Sequence, residues 1–87
     1  EKIGLVNKVV PVAELQAEAV KLARKLAGKP AVAMSMAKAA INLGGNMDIN
    51  SGLDLEIQSF VVSFASEDRA EGMKAFAEKR KPNFTDK

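Results

Sequence analysis

Four stretches of this 87-residue chain repeat apolar side chains at helical spacing, and glycine or proline separates most of them. In the first, apolar residues from Leu15 to Leu26 recur at every third or fourth position, which places them on one face of a helix. This helix is predicted to begin just after Pro11 and to end at Gly28, because glycine suits a helix C-terminus. The pattern predicts an all-α fold built from four helices.

The second and third helices have equally clear boundaries. The second is predicted to begin at Pro30, which suits a first helical position, and to end at Gly44 and Gly45. The third is predicted to follow Asp48 or Ser51, because either side chain can accept a hydrogen bond from the first N–H groups of a helix.

The fourth helix is predicted to begin at the N-cap Ser66 and to stop before Pro82, which cannot continue a helix. Three adjacent cations, Lys79, Arg80 and Lys81, are expected on its last turn. The helix dipole alone favours cations there, by about 0.3–1 kcal/mol each. A docked anion such as a phosphate is the alternative explanation, and the residues by themselves leave both open.

The basic cluster also includes Lys74 and has an aromatic neighbour. Phe76 lies three positions before Lys79, so the two side chains share one helix face. An aromatic ring beside a cation suits a ligand that carries both a planar or apolar part and a phosphate. This cluster is the best candidate binding site that the residues suggest.

One segment does not follow the helical pattern. Residues 4–10, GLVNKVV, are rich in β-branched side chains and are closed by Pro11, which predicts one short strand. No second strand is recognisable in the sequence, so this orphan strand is expected either to pair outside the 87 residues or to fray.

Composition excludes several classes of site. The chain has no cysteine and no histidine, so disulfides, zinc sites and histidine-dependent nucleophilic catalysis are not expected. The formal net charge of +2 is too small to suggest nucleic-acid binding. No apolar run reaches the roughly 18 residues of a membrane span, and a secretory signal is not recognisable, so a cytoplasmic location is expected. The start at Glu1 suggests a piece of a longer protein.

Carboxylates are the remaining acid–base groups. Glu56 stands in the apolar third helix and could be a general acid or base with a raised pKa, but an exposed structural role is the simpler interpretation because no partner is evident. Glu67, Asp68 and Glu71 are interpreted as charges near the start of the fourth helix that complement its dipole.

Three segments together resemble a known family: IGLVNKVVP, AKAAIN and LDLEIQSFVVSFASEDRAEGMKAFAEKRKPNF. They are similar to the C-terminal third of the crotonase superfamily, most of all to short-chain enoyl-CoA hydratases and bacterial 3-hydroxybutyryl-CoA dehydratases. The resemblance covers nearly the whole chain, and its most specific part runs from Phe64 to Phe84.

The resemblance implies an activity and an assembly. Family members add water reversibly to the 2,3 double bond of an enoyl-CoA thioester, using an oxyanion hole and two glutamates of a larger N-terminal core. That core is absent from these residues, so no catalytic residue is assigned and the 87 residues alone are expected to be inactive. Residues 1–87 are then the C-terminal helical domain, which supplies trimer contacts and part of the CoA site. The parent is expected to be a homo-oligomer, a trimer or dimer of trimers.

The resemblance also implies site residues. Lys79 matches a lysine that contacts the phosphate or adenine of the CoA nucleotide, and Phe76 and Phe60 match residues that wall the ligand tunnel, whereas Phe64 is expected in the core. The acyl-CoA thioester is the substrate, and no covalently bound cofactor is implied. A stand-alone helical interaction module and another crotonase-type activity, such as an enoyl-CoA isomerase, are the alternatives.

Overall fold

Four α-helices and one short 3₁₀ turn carry the regular structure of the chain. The computed structural model describes residues 1–87. The elements are a 3₁₀ turn at Val12–Glu14, α1 at Leu15–Ala27, α2 at Ala31–Gly44, α3 at Ile49–Ala65 and α4 at Glu67–Ala77. The predicted all-α framework of four helices is therefore confirmed.

The ends of the helices are set mainly by the residues that the sequence singled out. Asp48 caps α3, because its carboxylate accepts the N–H of Ser51 at 3.1 Å. Ser66 caps α4 in the same manner, with its hydroxyl 3.2 Å from the N–H of Arg69. Gly28 is the C-cap of α1. Side-chain oxygens thus satisfy N–H groups that the first turn of a helix leaves without partners.

The ends of α2 shift slightly from the prediction. Pro30, the predicted first helical residue, is instead the N-cap with an extended backbone at ψ 125°, and the helix begins one position later at Ala31. At the other end, Gly44 is the last helical residue and Gly45 is the C-cap. The difference at the N-terminal end lies within the one or two residues by which helix boundaries normally vary.

The strand predicted at residues 4–10 is not formed in this chain, where the segment has turns, bends and irregular backbone, as the fraying alternative expects. A strand needs a neighbour to satisfy its N–H and C=O groups, and no other part of the chain is extended alongside it. The segment is instead tied to α1 by a 2.6 Å ion pair between Lys8 and Glu18. Gly4 adopts φ 78° in a turn, and its N–H donates to the carbonyl of Glu1 at 3.1 Å.

Packing within the chain is confined to a few contacts between helices. Helices α2 and α3, joined by a short loop, pack against each other along most of their length, while α4 touches α3 at few points and α1 mainly contacts its own 3₁₀ turn. The chain measures 42 × 40 × 18 Å and its radius of gyration is 16.3 Å. A compact domain of this length would have a radius of gyration of about 12 Å. The fold is therefore a flat layer of helices.

Few residues are buried in such a flat layer of helices. The buried residues are Ser59, Asp68 and Ala75, and the last two are each 1% exposed. Phe64, which was expected in the core, is 51% exposed, so that expectation is wrong for this chain. The reason is geometric: α3 has α2 on one side and touches α4 at only a few points, so its other faces are largely uncovered.

Candidate functional site

Helix α4 ends earlier than predicted, and the three cations lie beyond it. The last helical residue is Ala77 and Glu78 is the C-cap. The N–H of Lys79 donates to the carbonyl of Phe76 at 3.2 Å, and the N–H of Arg80 donates to that of Ala75 at 3.0 Å. This pair of hydrogen bonds defines a Schellman motif, which stops the helix before Pro82 can do so.

Lys79 occupies the position in this motif that glycine usually fills. Its φ is 54°, in the left-handed region. For a residue with a Cβ this conformation costs about 1–2 kcal/mol. The side chain of Lys79 therefore leaves the chain from a sharp reversal of the backbone and not from the last helical turn.

Arg80 is held by two carboxylates and is not available to an external anion. Its two terminal nitrogens donate to the two oxygens of Glu71, at 2.7 and 3.0 Å, and its Nε lies 2.6 Å from Glu78. The bidentate geometry matches a planar guanidinium to a planar carboxylate. Of the three adjacent cations, only Lys79 and Lys81 remain without an ion pair.

Glu71 is a strong acceptor at the centre of this arrangement. Besides Arg80 it accepts the N–H of Asn83 at 2.8 Å. The hydrogen bonds from Arg80, and then the one from Asn83, lower the pKa of Glu71 from 4.5 to about 2. The same contact with Glu71 raises the pKa of Arg80 further above its usual value. Both groups are therefore charged at neutral pH.

The C-terminal tail, residues 82–87, runs back along α4. The carboxylate of Asp68 accepts the N–H of Thr85 at 2.7 Å and that of Asp86 at 2.9 Å. In return, the N–H of Asp68 donates to the carbonyl of Lys87 at 3.0 Å. Asp68 was interpreted from the sequence only as a charge near a helix start. Its side chain and its backbone together hold the tail in place.

The tail also connects α4 to α2. Asp86 accepts the N–H of Ala31, at the start of α2, at 3.3 Å. The ring of Phe84 lies over Gly72, where a Cβ would come within 3.5 Å of the ring. The tail is thus anchored on both α4 and α2, and the ring of Phe84 packs on Gly72 of α4.

The structure does not gather the predicted site residues into one pocket. Phe60 is 65% exposed on α3, and Phe76 is 87% exposed near the end of α4. The aromatic contact of the chain joins Phe60 to Phe64, whose ring centroids lie 5.7 Å apart. Arg69 stacks on the ring of Phe64, with its guanidinium carbon 4.4 Å from the ring centroid.

Two open clefts lie elsewhere on the surface. One, of about 330 Å³, runs between α2 and α3 and includes Phe60 and Glu56 in its lining. The other, of about 600 Å³, lies between the N-terminal segment and α1, with Lys8, Lys21 and Lys25 at its edge. Neither is lined by Lys79 or Phe76. Any ligand tunnel that used Phe60 and Phe76 together would need walls from outside these 87 residues.

Acid–base groups in the chain show no catalytic arrangement. Glu56 is exposed and makes no hydrogen bond or ion pair, in agreement with its simpler interpretation as a surface residue. Asp68 is the buried carboxylate, and N–H groups of the tail occupy its oxygens. No cluster of acidic side chains has the make-up of a metal site. None of the helices combines the length and hydropathy needed to cross a lipid bilayer.

Comparison of the sequence with known proteins identifies a family and named relatives. A family model described as enoyl-CoA hydratase/isomerase matches residues 1–87. A probable mitochondrial enoyl-CoA hydratase of Dictyostelium discoideum is 44% identical over 87 residues, which are 100% of this chain and 31% of that protein. A crotonyl-CoA hydratase of Syntrophomonas wolfei is 45% identical over 86 residues, or 99% of this chain and 33% of its own length.

Solved structures give the same result for the fold. The crystal structure of an enoyl-CoA hydratase from Bacillus anthracis superposes with a TM-score of 0.93 at 38% identity, over 99% of this chain and 33% of that one. The flat arrangement of helices thus recurs within a much larger protein.

The chain belongs to the enoyl-CoA hydratase/isomerase family. It spans about a third of the length of the curated relatives it matches, 31% and 33% of the two described above.

Proposed function

We propose that these 87 residues are the C-terminal domain of an enoyl-CoA hydratase, called the full-length enzyme below, which hydrates 2-enoyl-CoA reversibly to 3-hydroxyacyl-CoA. The observation that carries this proposal is the match over the entire chain, at 44% and 45% identity, to relatives named enoyl-CoA hydratase and crotonyl-CoA hydratase. An enoyl-CoA isomerase is the second candidate, because the description of the matching family includes both reactions.

The chemistry belongs to the other part of the full-length enzyme. An acid–base catalyst must reach the reacting proton with a free oxygen. Asp68 has its oxygens occupied by the tail, and Glu56 lies on an open surface without a partner. The 87 residues alone are therefore inactive in this proposal, and their contribution is to binding and assembly.

The contribution to binding is a contact with the CoA nucleotide. Lys79 carries an exposed ammonium group that no carboxylate neutralises, at a backbone reversal fixed by the Schellman motif. A lysine presented in this way supplies a positive charge and N–H donors to a phosphate. Phe76 and Phe60 form part of the wall of the acyl tunnel once the rest of the enzyme closes it.

The contribution to assembly comes from the uncovered apolar faces. Ile57, Phe60, Val61 and Phe64 are all at least half exposed on α3. Contiguous apolar patches of this kind mark surfaces that are covered by another body. In the full-length enzyme these faces are covered by the catalytic core and by other subunits of a homo-oligomer, a trimer or a dimer of trimers.

The cellular location in this proposal is the cytoplasm. Bacterial relatives such as the crotonyl-CoA hydratase of Syntrophomonas wolfei support it, whereas the Dictyostelium discoideum relative is named as mitochondrial.

The test of the proposal is an assay of the full-length enzyme with crotonyl-CoA. Hydration removes the double bond conjugated to the thioester, so absorbance falls and 3-hydroxybutyryl-CoA appears by mass spectrometry. Conversion of a 3-enoyl-CoA to its 2-enoyl isomer without net addition of water would favour the isomerase. An enzyme that is folded and does neither would exclude both activities and favour an interaction module.

A further inference from the structure

One carboxylate holds the chain on the C-terminal side of Lys79 at two points. Glu71 binds the guanidinium of Arg80, the next residue along the chain, through both oxygens. It also accepts the backbone N–H of Asn83 at 2.8 Å. One contact fixes a side chain and the other fixes the backbone. Through these two contacts Glu71 attaches the residues that follow Lys79 to the body of α4.

The loop needs this attachment because the conformation of Lys79 is costly. A non-glycine residue in the left-handed region persists only where its surroundings determine it strongly. The Schellman hydrogen bonds of Lys79 and Arg80 provide part of that restraint, and Glu71 holds the residues that follow. Without Glu71, the turn keeps its two backbone hydrogen bonds and the contact of Arg80 with Glu78, but loses its link to the body of α4 through Arg80 and Asn83.

The guanidinium of Arg80 is held in one position by hydrogen bonds within the chain. All of its guanidinium contacts are internal: both oxygens of Glu71, one oxygen of Glu78, and the carbonyl of Lys81 at 3.3 Å. Two carboxylates balance its single positive charge. An incoming phosphate would have to displace one of them, whereas Lys79 offers its ammonium without any such displacement.

We propose that Glu71 is a positioning residue for nucleotide binding: through Arg80 and the Asn83 N–H it holds Lys79 where the ammonium meets a phosphate of the CoA thioester. The inference rests on the proposed function, in which Lys79 contacts the CoA nucleotide. Glu71 does not touch the substrate, and its effect on binding passes through Lys79.

The experiment is a double-mutant cycle in the full-length enzyme with Glu71→Gln, Lys79→Ala and the combined variant. Each is assayed with crotonyl-CoA and with crotonyl-pantetheine, which lacks the nucleotide. Glu71→Gln raises KM for crotonyl-CoA roughly two- to fivefold, the range expected for one weakened exposed ionic contact, with kcat little changed. It lowers kcat/KM for crotonyl-CoA relative to crotonyl-pantetheine. In the Lys79→Ala background it has no further effect.

Two controls separate positioning from general damage. Glu67→Gln removes a neighbouring exposed carboxylate of α4 and leaves both KM values unchanged. Glu71→Asp keeps the charge and recovers part of the lost affinity. If Glu71→Gln does not fold, Arg80→Lys is put through the same cycle, because lysine keeps the charge but loses the bidentate geometry.

Two results would overturn the proposal. One is an effect of Glu71→Gln that is equally large with Lys79→Ala present. The other is an equal loss of kcat/KM for crotonyl-CoA and crotonyl-pantetheine, which would show a structural role only. Failure of the proposed function is a separate result, because the unsubstituted enzyme would then not turn over crotonyl-CoA at all.

Discussion

The backbone N–H of Thr85 lies 2.7 Å from a carboxylate oxygen of Asp68, a side chain that is 1% exposed. Asp68 lies in the first turn of α4, and the N–H groups of Thr85 and Asp86 supply its partners from the far end of the chain. A charge this well buried is tolerated because hydrogen bonds replace the water it has lost. The C-terminal tail is consequently part of the folded layer.

Replacing Asp68 with alanine is expected to release the tail. The variant leaves two backbone N–H groups without their charged acceptor, and hydrogen bonds to charged groups contribute about 1.5–3 kcal/mol. The full-length enzyme should lose stability of that order in urea unfolding, and amide hydrogen exchange should accelerate at Thr85 and Asp86. Glu67→Gln, one position earlier and exposed, is the matched control and should stay within about 0.5 kcal/mol of the wild type. Unchanged exchange at the tail would contradict the role of Asp68.

The ion pair of Glu71 predicts a dependence of stability on acid pH. Arg80 and the Asn83 N–H lower the pKa of Glu71 from 4.5 to about 2. A lowered pKa means that the folded state binds the proton less well than the unfolded state, so the contribution is complete above pH 4.5 and is lost as pH falls towards 2. The stability difference between wild type and Glu71→Gln should therefore be largest at neutral pH and shrink below 4.5.

Urea unfolding across this pH range provides the measurement. Asp54→Asn, an exposed carboxylate without an ion pair, is the control and should show no comparable trend. A gap between wild type and Glu71→Gln that grows on acidification would reverse the predicted sign.

Lys79→Gly is expected to improve stability and to weaken substrate binding. Glycine adopts φ near 54° without the cost that a Cβ imposes, although its greater freedom in the unfolded state offsets part of the gain. The net increase in the free energy of unfolding should be about 0.5–1 kcal/mol. KM for crotonyl-CoA should rise as in Lys79→Ala, which removes the same ammonium group but keeps the Cβ and gains no stability. Equal stability of the two variants would show that the turn is not strained.

The 87-residue chain on its own is expected to self-associate. Its buried residues number three, and large apolar side chains such as Phe60 and Phe76 are more than half exposed. Surfaces of this kind rarely stay in contact with water. Size-exclusion chromatography with light scattering should give a mass above the 9.3 kDa of the monomer. A monodisperse monomer with cooperative unfolding would contradict this expectation.

Local signals in the sequence were sufficient to place the helices, apart from the C-terminal end of α4. The caps Asp48 and Ser66 act on N–H groups three residues further along, and Gly28 and Gly44 act on the turn that contains them. Interactions this short in sequence are visible in a sequence pattern. The strand predicted at residues 4–10 is not formed here, because a strand depends on a partner that these 87 residues do not supply.

Contacts between residues far apart in the sequence could not be predicted from local sequence patterns. Asp68 looked like an ordinary residue of a first helical turn, since its partners Thr85 and Asp86 lie beyond the end of the helix. Nor does any local signal mark Lys79 as left-handed, because glycine usually occupies that position. The family resemblance was confirmed by a match over residues 1–87, while the roles of Lys79 and the two phenylalanines stay predictions.

The most direct test of the account is a chimaera in which these 87 residues replace the matching third of the Bacillus anthracis enoyl-CoA hydratase. The two share 38% identity and superpose with a TM-score of 0.93, so the replacement should fold and assemble like the parent. The chimaera is expected to hydrate crotonyl-CoA, and Lys79→Ala within it is expected to raise KM. A chimaera with the circular dichroism and mass of the parent enzyme but without hydratase activity would contradict it.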